Sequence, residues 1–265
     1  MKSAMNNVLI LGGTSEASAL AKAFASRSIP AVFSYAGRVT TPKAQPLPTR
    51  VGGFGGIEGL KSWLAENGIT HLVDATHPFA AQMSRHAVQA AADSDIELIA
   101  LTRPAWQPVT GDRWQRVASV EAAVDALTGP PERILLAIGR MHLTAFTAQP
   151  QHHYLLRLVD TPETSPPLPH HTITVDRGPF SLEGDLDLLR EHGIQHLVCK
   201  NAGGEGAMSK LAAARQMGLP VLMIERPELP QRREVHSVDA VLSWLAHGND
   251  AHDSLHDDHG TDLGV

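Results

Sequence analysis

The sequence of 265 residues contains one cysteine, Cys199, and no apolar run long enough to cross a membrane. A single thiol cannot form an internal disulfide, so the chain suits a reducing compartment. The apolar segment near the N-terminus is short and leads directly into a helix pattern, so we expect no signal peptide. With a hydrophobic content of 43%, these features predict a folded, soluble, cytoplasmic protein.

An excess of basic charge is also absent. The last residues, 247–265, contain five aspartates and neither lysine nor arginine, which leaves 22 basic and 23 acidic residues in the rest of the chain. This balance argues against general nucleic-acid binding, and we expect neither a nucleic-acid nor a membrane partner. The polar tail, 248–265, is predicted to be disordered, and we assign no metal site to its histidines.

Short apolar runs alternate with helix patterns along the chain, which is typical of an α/β fold with mostly parallel sheets. Strands are predicted over 8–11, 29–35, 71–74, 96–101, 114–117, 133–138, 153–158, 196–200 and 220–224. The proline-rich segments 40–50 and 161–171 are predicted to be loops. The Gly-Pro-Pro at 129–131 marks the expected boundary between a first domain, 1–130, and a second domain, 131–247.

The turn after the first predicted strand has the features of an anion-binding turn. Gly12 and Gly13 precede a helix, whose N-terminal N–H groups and dipole attract anions, and Thr14 and Ser15 add hydroxyl groups. The spacing approaches the dinucleotide fingerprint, with Thr14 in place of its second glycine. A plain strand–helix turn capped by Gly13, with Glu16 bonding back to it, explains the same residues.

Further candidates follow other predicted strands of the first half. After the second strand, where NAD enzymes usually carry an acidic residue, the chain has Arg38, which favours a 2′-phosphate and therefore NADPH. A solvated loop arginine explains the same residue. The glycine-rich loop around Gly53 can cover a ligand or serve as a permissive connection. Thr76 and His77 follow the strand over 71–74, and His77 can cap a helix, contact a coenzyme or donate a proton.

Basic side chains collect near predicted strand ends of the second half, namely Arg140, Arg157, Arg177, Lys200 and Lys210. Individually each fits a surface charge, but together they suggest a polyanionic ligand. Lys200 ends an apolar strand and is followed by Asn201 and a glycine turn, which packing alone explains poorly. Arg103, after the strand over 96–101, can face a large anion or pack between domains.

Several motifs together resemble the precorrin-6A reductase family. They are L-G-G-T-S-E-A at 11–17, Y-A-G-R at 35–38, the glycine loop at 52–56, D-A-T-H-P-F-A at 74–80, G-R at 139–140, R-G-P-F at 177–180 and K-N-A-G-G at 200–204. The resemblance spans about residues 7–245. It implies an NADPH-dependent reductase of cobalamin biosynthesis with two Rossmann-like domains and an active site in the interdomain cleft.

The resemblance further implies that one double bond of the precorrin-6A macrocycle is reduced to give precorrin-6B, from a substrate with or without cobalt. Neighbouring enzymes of the pathway are candidate partners. Coenzyme contacts are expected from Gly12, Gly13, Thr14, Ser15, Glu16, Arg38, Gly53, Thr76 and His77. Carboxylates of the tetrapyrrole are expected to meet Arg103, Arg140, Arg177, Lys200 and Asn201. His77 and Lys200 are the catalytic candidates; water or a hydroxyl group is the alternative to His77 as proton donor.

Three other functions fit part of the sequence. An NADPH oxidoreductase acting on a small enone or ketone shares the first domain but has no need for several cations in the second. A non-catalytic NADP-sensing module leaves His77 and those cations without chemistry. A methyltransferase that uses S-adenosylmethionine is disfavoured by Arg38, because an acidic residue usually binds the ribose hydroxyls at that place.

Overall fold

The computed structural model describes residues 6–36, 43–176, 178 and 180–253. Its strands, in chain order, are β1 (Val8–Leu11), β2 (Ala31–Tyr35), β3 (Thr49–Val51), β4 (His71–Asp74), β5 (Glu97–Leu101), β6 (Arg113–Val117), β7 (Arg133–Ala137), β8 (His153–Leu158), β9 (His171–Val175), β10 (His196–Lys200), β11 (Pro220–Ile224) and β12 (Glu234–Val235). Its α-helices are α1 (Ser15–Ser26), α2 (Gly56–Glu66), α3 (Ala81–Asp93), α4 (Val120–Asp125), α5 (Leu182–Glu191), α6 (Ser209–Gln216) and α7 (Val238–Asp253). A 3-10 helix spans Arg140–Ala148.

These elements form two compact units. The first unit contains the described residues up to Arg103 and those from Glu228 onward, and the second is Pro104–Pro227. Within the described ranges each unit has one six-stranded sheet, and the neighbouring strands pair in parallel. The predicted α/β class with two Rossmann-like domains is confirmed.

The predicted domain boundary at 129–131 is wrong. Strand β6 precedes that point but pairs with β11 in the second sheet, so the second unit begins at Pro104. Strand β12 lies within the predicted second domain, 131–247, but pairs with β5 in the first sheet. Both edge strands are paired with partners that are distant in sequence, and proline and glycine content carries no information about such pairing.

The sheet of the first unit has the order β12-β5-β4-β1-β2-β3. All four residues of β1 are buried, as expected for a central parallel strand that is covered on both faces. From β1 the chain proceeds outward through β2 and β3 and then crosses to β4 on the other side of β1. This is the doubly wound arrangement, in which ligands bind beyond the carboxyl ends of the strands where the order reverses.

Helices cover both faces of this first sheet. On one face Phe24 of α1 and Trp244 of α7 pack in the same cluster as Ile10, and on the other Leu60 of α2 packs with Leu9. Neighbouring residues of β1 therefore serve opposite faces, which follows from the alternation of side chains along a strand. Packing on both faces holds β1 in place, and it thereby fixes the position of the turn that follows this strand.

The sheet of the second unit has the order β6-β11-β10-β7-β8-β9, with β7 between β8 and β10. From β7 the chain proceeds outward through β8 and β9 and then crosses to β10 on the other side of β7. The strand order therefore reverses between β7 and β10, and their carboxyl ends define a second candidate ligand edge. Its core includes Leu135, Leu197 and Met223 from three successive strands of this sheet.

Strand β3 overlaps the end of the predicted loop 40–50, and β9, which begins at the last residue of the predicted loop 161–171, is not predicted as a strand. Both lie at sheet edges: β3 has three residues, and the residues of β9 are half-buried or exposed. Edge strands need apolar residues on few positions and tolerate nearby proline, so they lack the continuous apolar run that identifies a central strand.

The last helix, α7, continues to Asp253, past the predicted start of the disordered tail at 248. The rest of the tail lies outside the described residues. Among the helices of the described chain, none is both long and apolar enough to span a membrane.

Candidate functional site

Two glycines shape the turn after β1 for different reasons. A Cβ atom on Gly12 would lie 2.1 Å from Cζ of Phe33, so any larger residue would displace that buried ring. Gly13 has a φ of +125°, a conformation that L-residues rarely adopt. Because Gly13 is also exposed, a ligand can approach the backbone here without meeting a side chain.

Thr14 caps helix α1 instead of offering its hydroxyl to a ligand. Its Oγ1 accepts the backbone N–H of Ala17 at 3.1 Å and donates to the carbonyl of Ala75 at 2.9 Å. The hydroxyl proton is therefore used within the protein, which argues against the expected hydrogen bond from the Thr14 hydroxyl to an anion. Thr14, and not Gly13, is the N-cap residue.

Ser15, Glu16 and Arg103 form a polar group at the start of α1. The Ser15 hydroxyl donates to Glu16 Oε2 at 3.0 Å, and Arg103 Nε lies 3.7 Å from the same oxygen. Arg103 belongs to the first unit, at the end of β5. Its positive charge therefore lies at the predicted coenzyme turn, beside the carboxylate of Glu16.

The turns after β1 and β4 are joined directly. Leu11 and Asp74 are opposite each other in the strand register, and the Ala75 N–H donates to the Leu11 carbonyl at 2.9 Å. With the bond from Thr14 to Ala75, this brings the predicted coenzyme turn beside the segment that carries Thr76 and His77. Both lie at the point where the strand order of the first sheet reverses.

Asp74 holds the second of these turns. This buried carboxylate accepts hydrogen bonds from the Thr76 N–H at 3.1 Å, the Thr76 hydroxyl at 2.7 Å and the Ser84 hydroxyl at 2.6 Å. It also pairs with Arg232 Nη1, and the two side chains are only 1% and 7% exposed. No local sequence pattern indicates Arg232 as the partner of Asp74, because it lies 158 residues away.

His77 is half-buried and its ring orientation is set locally. Its Nδ1 accepts the backbone N–H of Phe79 at 3.2 Å, and its carbonyl accepts the N–H of Ala80 at 2.7 Å. An Nδ1 that accepts a hydrogen bond places the proton of the neutral ring on Nε2. Helix α3 begins at Ala81, so His77 lies in the turn before the helix instead of capping it.

The glycine-rich loop with Gly53 follows β3, and Arg50 contacts it. Arg50 Nη2 donates to the Gly53 carbonyl at 2.9 Å, and Gly55 in a left-handed conformation precedes α2. Sequence reasoning missed Arg50, although its position just before four glycines was a usable signal. Arg38 and Arg177 lie outside the described residues, so their predicted contacts remain predictions.

In the second unit, Arg140 lies just after β7, and Lys200 is the last residue of the neighbouring strand β10. Cys199 pairs with Ala137 in the register of β10 and β7, so Lys200 and the Gly139-Arg140 turn lie at the same sheet edge. Arg140 is exposed and Lys200 is half-buried. The structure thus brings these two cations to the point where the second sheet reverses its order.

Asn201 has a structural role. Its side chain is fully buried, its Oδ1 accepts the Trp106 N–H at 2.8 Å, and its Nδ2 donates to the Trp106 carbonyl at 3.2 Å. These bonds argue against the predicted contact between Asn201 and substrate, because both ends of the amide are bonded to one backbone residue. Asn201 instead fixes the segment that opens the second unit.

Arg157 and Lys210 are also structural. Arg157 pairs with the buried carboxylate of Asp185 and lies 4.5 Å from the centroid of the Phe180 ring. Lys210 is 7% exposed, and its Nζ bonds to the Ala207 carbonyl. The proposed set of cations is therefore reduced to Arg140, Lys200 and, outside the described residues, Arg177.

Arg226 is a further residue that sequence reasoning missed. Its Nε donates to the Asn201 carbonyl at 3.0 Å and its Nη2 to the Ala202 carbonyl at 3.2 Å. A Cβ atom on Gly203 would lie 2.1 Å from the Pro104 carbonyl oxygen, so glycine is required there. The hydrogen bonds from Arg226 and the close approach of the Pro104 backbone thus fix the loop after Lys200.

Histidines gather at the amino ends of the second sheet. His153, His171 and His196 are the first residues of β8, β9 and β10. Burial, followed by the charge of Arg133 and neighbouring histidines, lowers the pKa of His153. Burial also lowers the pKa of His196, despite the opposing effect of Glu132. In the described part of the chain no three such side chains are arranged to bind a metal ion.

We expect His153 and His196 to make the second unit less stable in mild acid. The unfolded chain takes up protons below the ordinary histidine pKa of about 6.5, whereas folded His153 and His196 resist protonation. Their contribution is therefore present above about pH 6.5 and is lost as the pH falls toward their lowered values. Hydrogen exchange of β8 and β10 at about pH 7.5 and 5.5 measures this loss. A His153→Gln, His196→Gln variant should show a smaller pH effect, and an equal effect would contradict the assignment.

Known proteins resemble this chain over both units. The sequence profile of a family described as precorrin-6x reductase CbiJ/CobK matches residues 7–246. A precorrin-6A reductase of Rhodobacter capsulatus is 54% identical over 245 residues, covering 92% of this chain and 98% of the relative. A solved structure described as CobK precorrin-6A reductase has a TM-score of 0.88 at 54% identity and covers 92% of this chain and 97% of its own.

More distant relatives carry related names. A precorrin-6A reductase of a Sinorhizobium species is 45% identical, covering 91% of this chain and 92% of the relative. A cobalt-precorrin-6A reductase of Priestia megaterium is 31% identical, covering 84% of this chain and 91% of the relative.

Proposed function

Because this chain belongs to the precorrin-6x reductase family, we propose that it reduces precorrin-6A with a hydride from NADPH bound to its first unit. The chain is an oxidoreductase of cobalamin biosynthesis that acts on a tetrapyrrole precursor. The observation that carries the coenzyme assignment is the reversal of strand order between β1 and β4, where the Gly13 turn lies beside Thr76 and His77.

In this proposal the pyrophosphate of NADPH binds backbone N–H groups at the start of α1. The helix dipole contributes partial positive charge there, and exposed Gly13 permits close approach. Thr14 holds the turn through its cap, and the Ser15 hydroxyl is exposed beside it. Arg103, 3.7 Å from Glu16, offsets the repulsion between that carboxylate and a phosphate.

The reduction adds a hydride to one end of a double bond and a proton to the other. Bound NADPH supplies the hydride. Thr76 and His77 lie at the β4 edge, where the nicotinamide would bind. The hydrogen bond from the Phe79 N–H orients the His77 ring and places its proton on Nε2. We therefore assign proton donation to His77.

The carboxylates of the macrocycle are assigned to cations of the second unit. Arg140 and Lys200 lie at neighbouring strand ends, and charged donors form the strongest hydrogen bonds to carboxylates. Arg177 is proposed as a third contact. Lys200, the other catalytic candidate, acts by fixing the ring that accepts the hydride, because orientation alone can supply several kcal/mol of the barrier, roughly 7–11 at most.

We further propose that the substrate is free of cobalt. The relative named for the metal-free precursor is 54% identical, whereas the relative named for the cobalt form is 31% identical. An anaerobic assay of NADPH oxidation with both forms tests the proposed function. Oxidation with the metal-free form supports it, and oxidation with neither form would contradict it.

Replacing Arg38 with alanine should weaken NADPH binding about 10- to 150-fold, the loss expected for one charge-assisted hydrogen bond to the 2′-phosphate. NADH binding should change little, because NADH lacks that phosphate. Coenzyme fluorescence titration measures both dissociation constants. Arg27→Ala, at the exposed far end of α1, is the matched control. Equal weakening of both coenzymes by Arg38→Ala would remove this assignment.

A further inference from the structure

One side chain ties the loop after β3 to the first sheet. Arg50 Nη1 donates to Ser34 Oγ at 2.8 Å and to the Gly52 carbonyl at 3.0 Å, and Nη2 donates to the Gly53 carbonyl at 2.9 Å. The guanidinium carbon also lies 3.8 Å from the centroid of the Phe54 ring. Three hydrogen bonds and a cation–π contact therefore fix the beginning of the loop over residues 52–56.

The strand register connects Arg50 to the predicted phosphate turn. Leu11 pairs with Ser34, and Ser34 pairs with Arg50, across β1, β2 and β3. The Ser34 carbonyl accepts the Gly12 N–H at 2.9 Å, while its hydroxyl accepts Arg50. Ser34 thus contacts both the turn after β1 and the side chain that holds the loop after β3.

The contacts of Arg50 also orient the peptide groups of the loop. In a trans peptide the carbonyl and the following N–H point in opposite directions. Because the Gly52 and Gly53 carbonyls face the guanidinium, the N–H groups of Gly53 and Phe54 face away from it. Successive N–H groups directed alike are suited to an anion. Gly52 has a φ of +124°, a conformation that residues with a side chain rarely adopt.

We propose that Arg50 is a positioning residue for the dinucleotide: it holds the loop over 52–56 so that backbone N–H groups meet the adenosine side of NADPH. This inference rests on the proposed function. In this proposal Arg50 is not assigned to a phosphate, because three of its five guanidinium protons are used by Ser34, Gly52 and Gly53. The fork geometry of the guanidinium, and not its charge, is the property that matters.

Arg50→Lys and Arg50→Gln separate geometry from charge. A single ammonium group keeps the charge but cannot reach Ser34 and both glycine carbonyls at once. Each variant should raise the dissociation constant for NADPH about 10-fold, the loss of one or two ordinary hydrogen bonds. The two variants should agree with each other, and NADH binding should weaken by a similar factor. The kcat at saturating NADPH should stay unchanged.

Two further variants complete the test. Ser34→Ala removes one of the three acceptors and should raise the dissociation constant about 3-fold, near the lower value for one hydrogen bond. Arg215→Lys, which alters an arginine paired with Asp112 in the second unit, should have no effect. Thermal unfolding shows whether each variant is folded. If Arg50→Gln does not fold, the dissociation constants of Arg50→Lys and Ser34→Ala for NADPH provide the test.

The outcomes distinguish this inference from the proposed function. NADPH binding at the wild-type level by Arg50→Lys, with loss in Arg50→Gln, would assign Arg50 to direct charge pairing and overturn the inference. Wild-type binding by both, or a fall in kcat with unchanged binding, would overturn it as well. If the wild-type chain itself does not bind NADPH, the proposed function fails first.

Discussion

Replacing Arg232 with methionine should lower the free energy of unfolding of the first unit by about 3–5 kcal/mol, the cost of leaving one partner of a buried ion pair uncompensated. Asp74 and Arg232 are only 1% and 7% exposed, so water cannot replace the lost counter-ion. Thr76 and Ser84 would still donate to Asp74, but neutral donors do not neutralise a buried charge. Urea titration with hydrogen exchange of β1 and β4 measures the loss in this unit.

An exposed pair provides the matched control. Arg190 and Asp187 are 58% and 79% exposed and 3.7 Å apart, so Arg190→Met should cost less than about 1 kcal/mol. Adding Asp74→Asn to Arg232→Met should restore part of the lost stability, because a neutral amide needs no counter-ion. A loss for Arg232→Met no larger than that for Arg190→Met would show that the Asp74 pair contributes little.

Replacing Lys200 with methionine should raise the KM for precorrin-6A about 10- to 150-fold, the effect of losing a charge-assisted hydrogen bond to a carboxylate. The dissociation constant for NADPH should stay at the wild-type value, because coenzyme contacts are assigned to the first unit. Steady-state kinetics and coenzyme titration measure the two quantities separately. Arg140→Met should act in the same direction, since its turn lies at the same sheet edge.

Lys61→Met is the control for this experiment. Lys61 lies on α2 in the first unit and pairs with Glu58 at 3.1 Å and Asp93 at 3.3 Å. Its replacement should leave both the KM for precorrin-6A and NADPH binding near wild type. Weaker NADPH binding with an unchanged KM in Lys200→Met would reverse the roles assigned to the two units.

The central strands could be predicted because each contains a continuous apolar run. Val8–Leu11 and His196–Lys200 were expected at the observed bounds, and the turns after them carry the glycines that a strand-to-helix turn requires. The places of Gly13, His77 and Lys200 at strand ends follow from these strands alone. Local sequence pattern therefore sufficed for the centre of each sheet and for the sheet edges to which the proposed function assigns ligands.

Features that depend on distant pairing could not be predicted. Strand β12 has two residues and gains its place only by pairing with β5, and Arg232 meets Asp74 across 158 positions. The partners of polar side chains were equally inaccessible. The sequence pattern predicts ligand contacts for Thr14 and Asn201 because it does not show what their side chains bond to. In the fold, the Thr14 hydroxyl donates to the Ala75 carbonyl and the Asn201 amide donates to the Trp106 carbonyl.

Following the transferred hydrogen tests the central claim most directly. Precorrin-6A is incubated anaerobically with the enzyme and NADPH that carries deuterium at the transferred position of the nicotinamide. Mass spectrometry of the reduced macrocycle should find one deuterium from the coenzyme, with the second added hydrogen derived from solvent. A product that contains no deuterium from the coenzyme, and in which both added hydrogens come from solvent, would contradict direct hydride transfer from NADPH.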